Sequence, residues 1–119
     1  MILSSRSEIA SIPLRELLEL GPERFAQVFR GTAVKRLKLT GLLRNACVAA
    51  GNSASRQDGG RDLVPALLGL AGHESALVRA HAVWAVRKLA GDEALALLSG
   101  ARERETDQAV LEEFVAPLA

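Results

Sequence analysis

Seven cations stand between Arg24 and Arg56 with no aspartate or glutamate among them: Arg24, Arg30, Lys35, Arg36, Lys38, Arg44 and Arg56. The 119-residue chain as a whole is nearly neutral at +1, because residues 1–23 set two cations against four acids and residues 58–119 set six against ten. Positive charge is therefore concentrated in one block, and a block of one sign calls for a polyanion. Lys35, Arg36 and Lys38 share a short segment, with Arg30 before it and Arg44 beyond. Guanidinium and ammonium groups so spaced can follow a phosphate backbone, and Thr32 with the free N–H groups at a helix start can add contacts. Asn52 reads first as a helix-end turn residue and second as a phosphate or ribose contact. The candidate nucleic-acid-binding set is thus Arg30, Thr32, Lys35, Arg36, Lys38, Arg44 and Asn52. The plain alternative is a solvated helix face.

Catalytic chemistry is not indicated. Cys47 is the one cysteine and His73 and His81 are the two histidines, so a four-ligand zinc site of Cys and His cannot be assembled, and a [4Fe–4S] cluster needs about four thiolates. No Ser-His-Asp set is suggested, and Gly59-Gly60 lacks the Lys-Ser/Thr of a phosphate loop. No catalytic residue, metal or cofactor is expected of this chain by itself. Cys47, within Ala46-Cys47-Val48-Ala49-Ala50, reads as a small core residue. Trp84 reads as an inter-repeat filler, with base stacking as the lesser alternative.

Helices must position these groups. The hydrophobic share is 49%, aromatics are 3% and tyrosine is absent, which favours close-packed helices over a sheet. Ser11 can cap a helix with Pro13 in its first turn, running to Leu20 and stopped by Gly21. A helix from Pro22 to Phe29 ends at Gly31, and Phe25 and Phe29 share a core-facing side. Thr32 caps a basic segment over 33–39, Gly41 allows a break, and a buried helix over 42–50 closes at Gly51-Asn52. Residues 53–60 form a polar, flexible loop. Beyond it lie helices over 62–71, over 76–89 with Ser75 as cap and Gly91 as stop, over 92–104, and from Thr106 or Asp107 to Val115. Seven or eight helices in pairs are expected, in one domain comprising a basic part (1–52), the loop (53–60) and repeats with an acidic terminal cap (61–119).

The pairs repeat. Leu43-Arg44-x-x-Cys47-Val48-x-Ala50 recurs 35 residues later as Val78-Arg79-x-x-Ala82-Val83-x-Ala85, and Ala66-Leu67-Leu68 recurs 30 residues later as Ala96-Leu97-Leu98. Periods of this size indicate stacked helical hairpins. Glu74 to Leu89 resembles the second helix of a HEAT repeat, and the expected fold is an all-α, right-handed solenoid of HEAT-like hairpins. Arg44 and Arg79 are read as architectural cations that bind carbonyls or a buried acid between repeats. Glu103, Glu105, Asp107, Glu112 and Glu113 are read as the solvated face of a terminal cap.

One pattern reaches further. Its Phe-x3-Phe-x-Gly-Thr-x3-Arg start (Phe25, Phe29, Gly31, Thr32, Arg36), Gly41-Leu42-Leu43-Arg44-Asn45 middle and Gly51-Asn52 end resemble the C-terminal HEAT-like region of bacterial epoxyqueuosine reductase, over roughly residues 12 to 90. In that family the full enzyme uses cobalamin and two [4Fe–4S] clusters to reduce the epoxide of epoxyqueuosine in tRNA. The resemblance implies a cytoplasmic, tRNA-facing module near the anticodon stem, working as a fragment of the reductase or as an adaptor beside a separate catalytic polypeptide. Phe25 and Phe29 would then lie near the junction with the catalytic part. No signal peptide or membrane span is expected, since Met1-Ile2-Leu3 is followed at once by polar residues. The rival class is a HEAT-like scaffold for protein–protein interaction, with no nucleic-acid role.

Overall fold

The structure, a computed structural model, describes residues 13–28, 36–55 and 60–118. These form helices α1 (Leu14–Leu18), α2 (Pro22–Val28), α3 (Arg36–Asn52), α4 (Val64–Leu70), α5 (Ala76–Ala90), α6 (Ala94–Leu97), α7 (Ser99–Arg104) and α8 (Gln108–Glu113), and no strand occurs among the described residues. Ser11, Phe29, Arg30, Gly31, Thr32, Lys35 and residues 56–59 of the predicted loop lie outside them.

Helix α5 is the centre of the packing: it contacts α3, α4 and α8, while α1 lies on α3 and α4. Its length follows from its ends. The Ser75 hydroxyl accepts the Val78 N–H at 3.4 Å, and Gly91 takes a positive φ of 58° that ordinary residues avoid. Between these ends the buried residues Val78, Ala82, Val83, Ala85, Val86 and Leu89 fall at helical spacing, and all but Leu89 are valine or alanine, small enough to let neighbouring helices approach.

The repeat seen in the sequence is a repeat of burial. Leu43, Cys47 and Ala50 on α3 and Val78, Ala82 and Ala85 on α5 are all fully buried. The other repeat is displaced by one residue. Leu63 and Leu67 are buried, and their burial is matched by Ala94 and Leu98, whereas Leu97 stays 45% exposed. Packing follows the inward face and not the local string of letters.

Two expected boundaries differ. Helix α3 runs unbroken through Gly41, so the basic segment and the buried segment are one 17-residue helix, about 25 Å long. Gly41 has open space around it, and nothing there requires a break. The stretch expected as one helix over 92–104 is divided, with a 3-10 turn over Gly91–Glu93 and a bend at Leu98 between α6 and α7. Leu98 is buried at the bend, which lets the chain fold its apolar side onto α5. The predicted loop is anchored at both ends: Ser53 is buried and donates its hydroxyl to the Ala50 carbonyl at 2.5 Å, and Gly60 is buried with φ of 71°.

Candidate functional site

Helix α3 carries Arg36 and Lys38 in its first turn, Arg44 at its middle and Asn52 at its end. Arg44, Val48 and Asn52 are spaced four apart and so form one stripe along it. Arg30, Thr32 and Lys35 lie outside the described residues, so four of the seven candidate residues are brought together on this one helix. Arg44 is half-buried, and its Nε donates to Oδ1 of its neighbour Asn45 at 3.1 Å. That is a correction to its expected architectural role, since among the described residues it reaches neither a carbonyl nor a buried acid. Asn52 is exposed.

Val48 and Asn52 open onto a groove. Its other walls are Ala80, His81 and Trp84 of α5 and Glu113 of α8, and it encloses about 310 Å³. Gly51 makes this groove possible. A Cβ there would overlap Cζ3 and Cη2 of the Trp84 indole, so the absence of a side chain lets the ring seat against α3. Gly51 therefore serves close approach, inside the helix, and not as its stop. Trp84 packs on the core yet stays partly exposed, and the Lys88 ammonium lies 5.6 Å from its ring centroid, a cation–π contact. His81 places Nδ1 2.8 Å from the Leu77 carbonyl. A carbonyl only accepts, so in the neutral ring Nδ1 holds the proton and Nε2 is an acceptor. Among the described residues Nε2 of His81, the Glu113 carboxylate and the Asn52 amide have no hydrogen-bond partner in the protein.

On the opposite side of α5 Arg79 and Glu105 engage each other. Arg79 donates from Nε to Glu105 Oε1 at 2.9 Å and from Nη2 to Oε2 at 3.0 Å, and its Nη1 donates to the carbonyls of His73 and Glu74 at 2.9 and 3.0 Å. Glu105 in turn accepts the N–H groups of Thr106 and Asp107. The two side chains are 19% and 4% exposed. Burial pushes the Glu105 carboxyl up, but the Arg79 hydrogen bonds, the two backbone N–H groups and the Arg79 charge outweigh it and hold the group below the usual carboxylate range. Asp107 caps α8, its Oδ1 accepting the N–H groups of Ala109 and Val110. Arg87 Nη1 donates to the carbonyls of Glu113 and Ala116 at 2.6 and 2.7 Å, closing the other end of α8. Glu105 and Asp107 are thus structural, not members of a solvated face. Nothing in the sequence marks Glu105 apart from its acidic neighbours; the expectation that Arg79 needs a buried acid is the available signal.

A family profile describing HEAT repeats matches residues 40–119, well over half the chain. The chain belongs to the HEAT-repeat family. No curated protein and no solved structure matches it. Within the HEAT region α4 with α5 forms one hairpin and α6–α7 with α8 the next, so Arg79 and Glu105 tie consecutive hairpins together, while the groove runs along the second helices of consecutive hairpins.

The residues of this HEAT domain do not fit an iron–sulfur cluster of the kind that the full enzyme of the resembled family carries. Its single thiol, Cys47, is buried and its pKa is pushed up to about 12 by desolvation, so it remains protonated and sealed from ligands. Among the described residues no three of His, Cys, Asp and Glu are grouped to hold a metal ion. Likewise, no helix among them is long and apolar enough to cross a membrane. The arrangement is a helix that bears Arg36, Lys38 and Arg44 in its sequence and leads to a groove of aromatic and uncommitted polar groups.

Proposed function

We propose that this HEAT domain is a tRNA-contacting module of an epoxyqueuosine reductase-like protein, holding the anticodon stem region for a catalytic part that resides in the same or a separate polypeptide. The observation that carries this reading is the block of seven cations without an acid from Arg24 to Arg56. It supplies Arg36, Lys38 and Arg44 to the helix that ends at the groove. The resemblance over the Phe25 to Asn52 block supports the same surface by an independent route. The role is binding and positioning, since the redox chemistry of the family needs ligands that these residues do not provide.

A mobility-shift titration of tRNA at increasing salt tests the reading. Binding is expected near the non-specific range, with Kd of about 10⁻⁴ to 10⁻⁶ M, and log K should fall with log[salt] by roughly 0.7 to 0.9 per phosphate neutralised. Absence of a salt-dependent shift refutes it.

A second reading, a scaffold for protein partners, is favoured by one observation. Leu77, Leu95, Leu97 and Val115 are 44 to 67% exposed, apolar side chains that a partner could cover. Pull-down of a protein partner through these residues, with no affinity for tRNA, would establish it.

A further inference from the structure

The groove between α3, α5 and α8 contains a mismatch with a purely phosphate-binding surface. Its approach is basic, yet Glu113 lines it and would repel phosphate. The groups that line it and lack a protein partner among the described residues are two acceptors, the Glu113 carboxylate and Nε2 of His81, together with the Asn52 amide, which can donate and accept. Beside them stands a partly exposed indole whose position is fixed by Gly51. Acceptors next to an aromatic surface suit a flat ligand that presents N–H donors on its edge. The volume of about 310 Å³ admits one ring system and not a duplex.

We propose that this groove takes an unpaired nucleobase carrying an exocyclic amino group. The base packs against Trp84, and its amino group donates to the Glu113 carboxylate, with Asn52 and His81 completing the edge contacts. The flanking phosphates stay outside, on the rim where Arg44 lies one turn before Val48 on α3 and Lys88 lies one turn after Trp84 on α5. Charge thus sorts the ligand: cations hold the backbone and the carboxylate admits only the base edge. This rests on the tRNA reading above and specifies which part of a nucleic acid the groove would meet.

The test uses uridine nonamers with one central guanosine, inosine or abasic residue, titrated against the full chain. Trp84 is the only tryptophan, so its fluorescence reports occupancy of the groove directly. The guanosine strand should quench that emission and bind about tenfold more tightly than the inosine strand, which lacks only the amino group, or the abasic strand. Glu113→Ala, which removes the acceptor, should bring the guanosine-to-inosine ratio within about twofold while leaving the salt slope unchanged, and Glu112→Ala, one residue away, should keep the ratio. Equal binding of the guanosine and inosine strands by the parent overturns the proposal, as does a ratio that survives Glu113→Ala. If strands bind equally but tRNA binding keeps its salt dependence, the groove proposal alone falls. If neither strands nor tRNA bind, the tRNA reading falls with it.

Discussion

The two polar clusters flanking α5 differ in whether their hydrogen bonds are already made. Around Arg79 and Glu105 each guanidinium nitrogen and both carboxylate oxygens already have a protein partner, so the cluster has much to lose if one member is removed. Around Trp84 the groups of Asn52, His81 and Glu113 face an open groove with capacity to spare. Similar residue types thus serve opposite ends. The lesson is that satisfaction, more than charge or proximity, separates a strut from a site in this domain.

The comparison breaks most visibly at the strut. Arg79→Ala leaves Glu105 buried without its cation, and urea unfolding should show a loss of about 3–5 kcal/mol, with tRNA affinity of the folded protein unchanged. A loss below about 1 kcal/mol would place the cluster with ordinary surface pairs. Next comes the seat of the indole. Gly51→Ala forces Trp84 away from α3 and should cost about 1–3 kcal/mol, with a shift in tryptophan emission as the ring moves.

Acid should weaken the strut. Because the folded-state pKa of Glu105 is depressed, its contribution is fully present above the unfolded value of about 4.3 and is lost as pH falls through the lower folded value. Stability measured from about pH 5 down to about pH 3 should therefore fall, and the fall should be shallower in Glu105→Gln. Smallest are the effects at the groove itself. Asn52→Ala, Glu113→Gln and Arg44→Ala should each stay within about 0.5 kcal/mol of the parent in urea unfolding, since none removes a buried partner. A large destabilisation by Arg44→Ala would restore to it the role that Arg79 holds.

These effects show what the sequence could disclose. Alternation of small and apolar residues at helical spacing, with Ser75 and Asp107 at helix starts and Gly91 at a stop, makes the hairpins legible, because caps and inward faces are local properties. The paired Val-Arg and Leu-Arg motifs are legible as a repeat but not as to role: Arg79 meets Glu105 from 26 residues away, and Arg44 meets only its neighbour. Gly51 is ambiguous in the sequence because glycine signals both a helix end and a close approach, and only the position of Trp84 tells them apart. The groove is hidden for the same reason, as Asn52, His81 and Glu113 are far apart in the chain and become neighbours only through packing on α5.

The most direct test of the central claim is the salt dependence of tRNA binding by the parent and by the triple variant Lys35→Ala, Arg36→Ala, Lys38→Ala, with helicity checked by circular dichroism. The account predicts equal helicity, weaker binding and a flatter slope for the variant, by roughly 0.7 to 0.9 for each phosphate that the variant no longer neutralises. The same affinity and slope in both proteins would contradict it and leave the scaffold reading in its place.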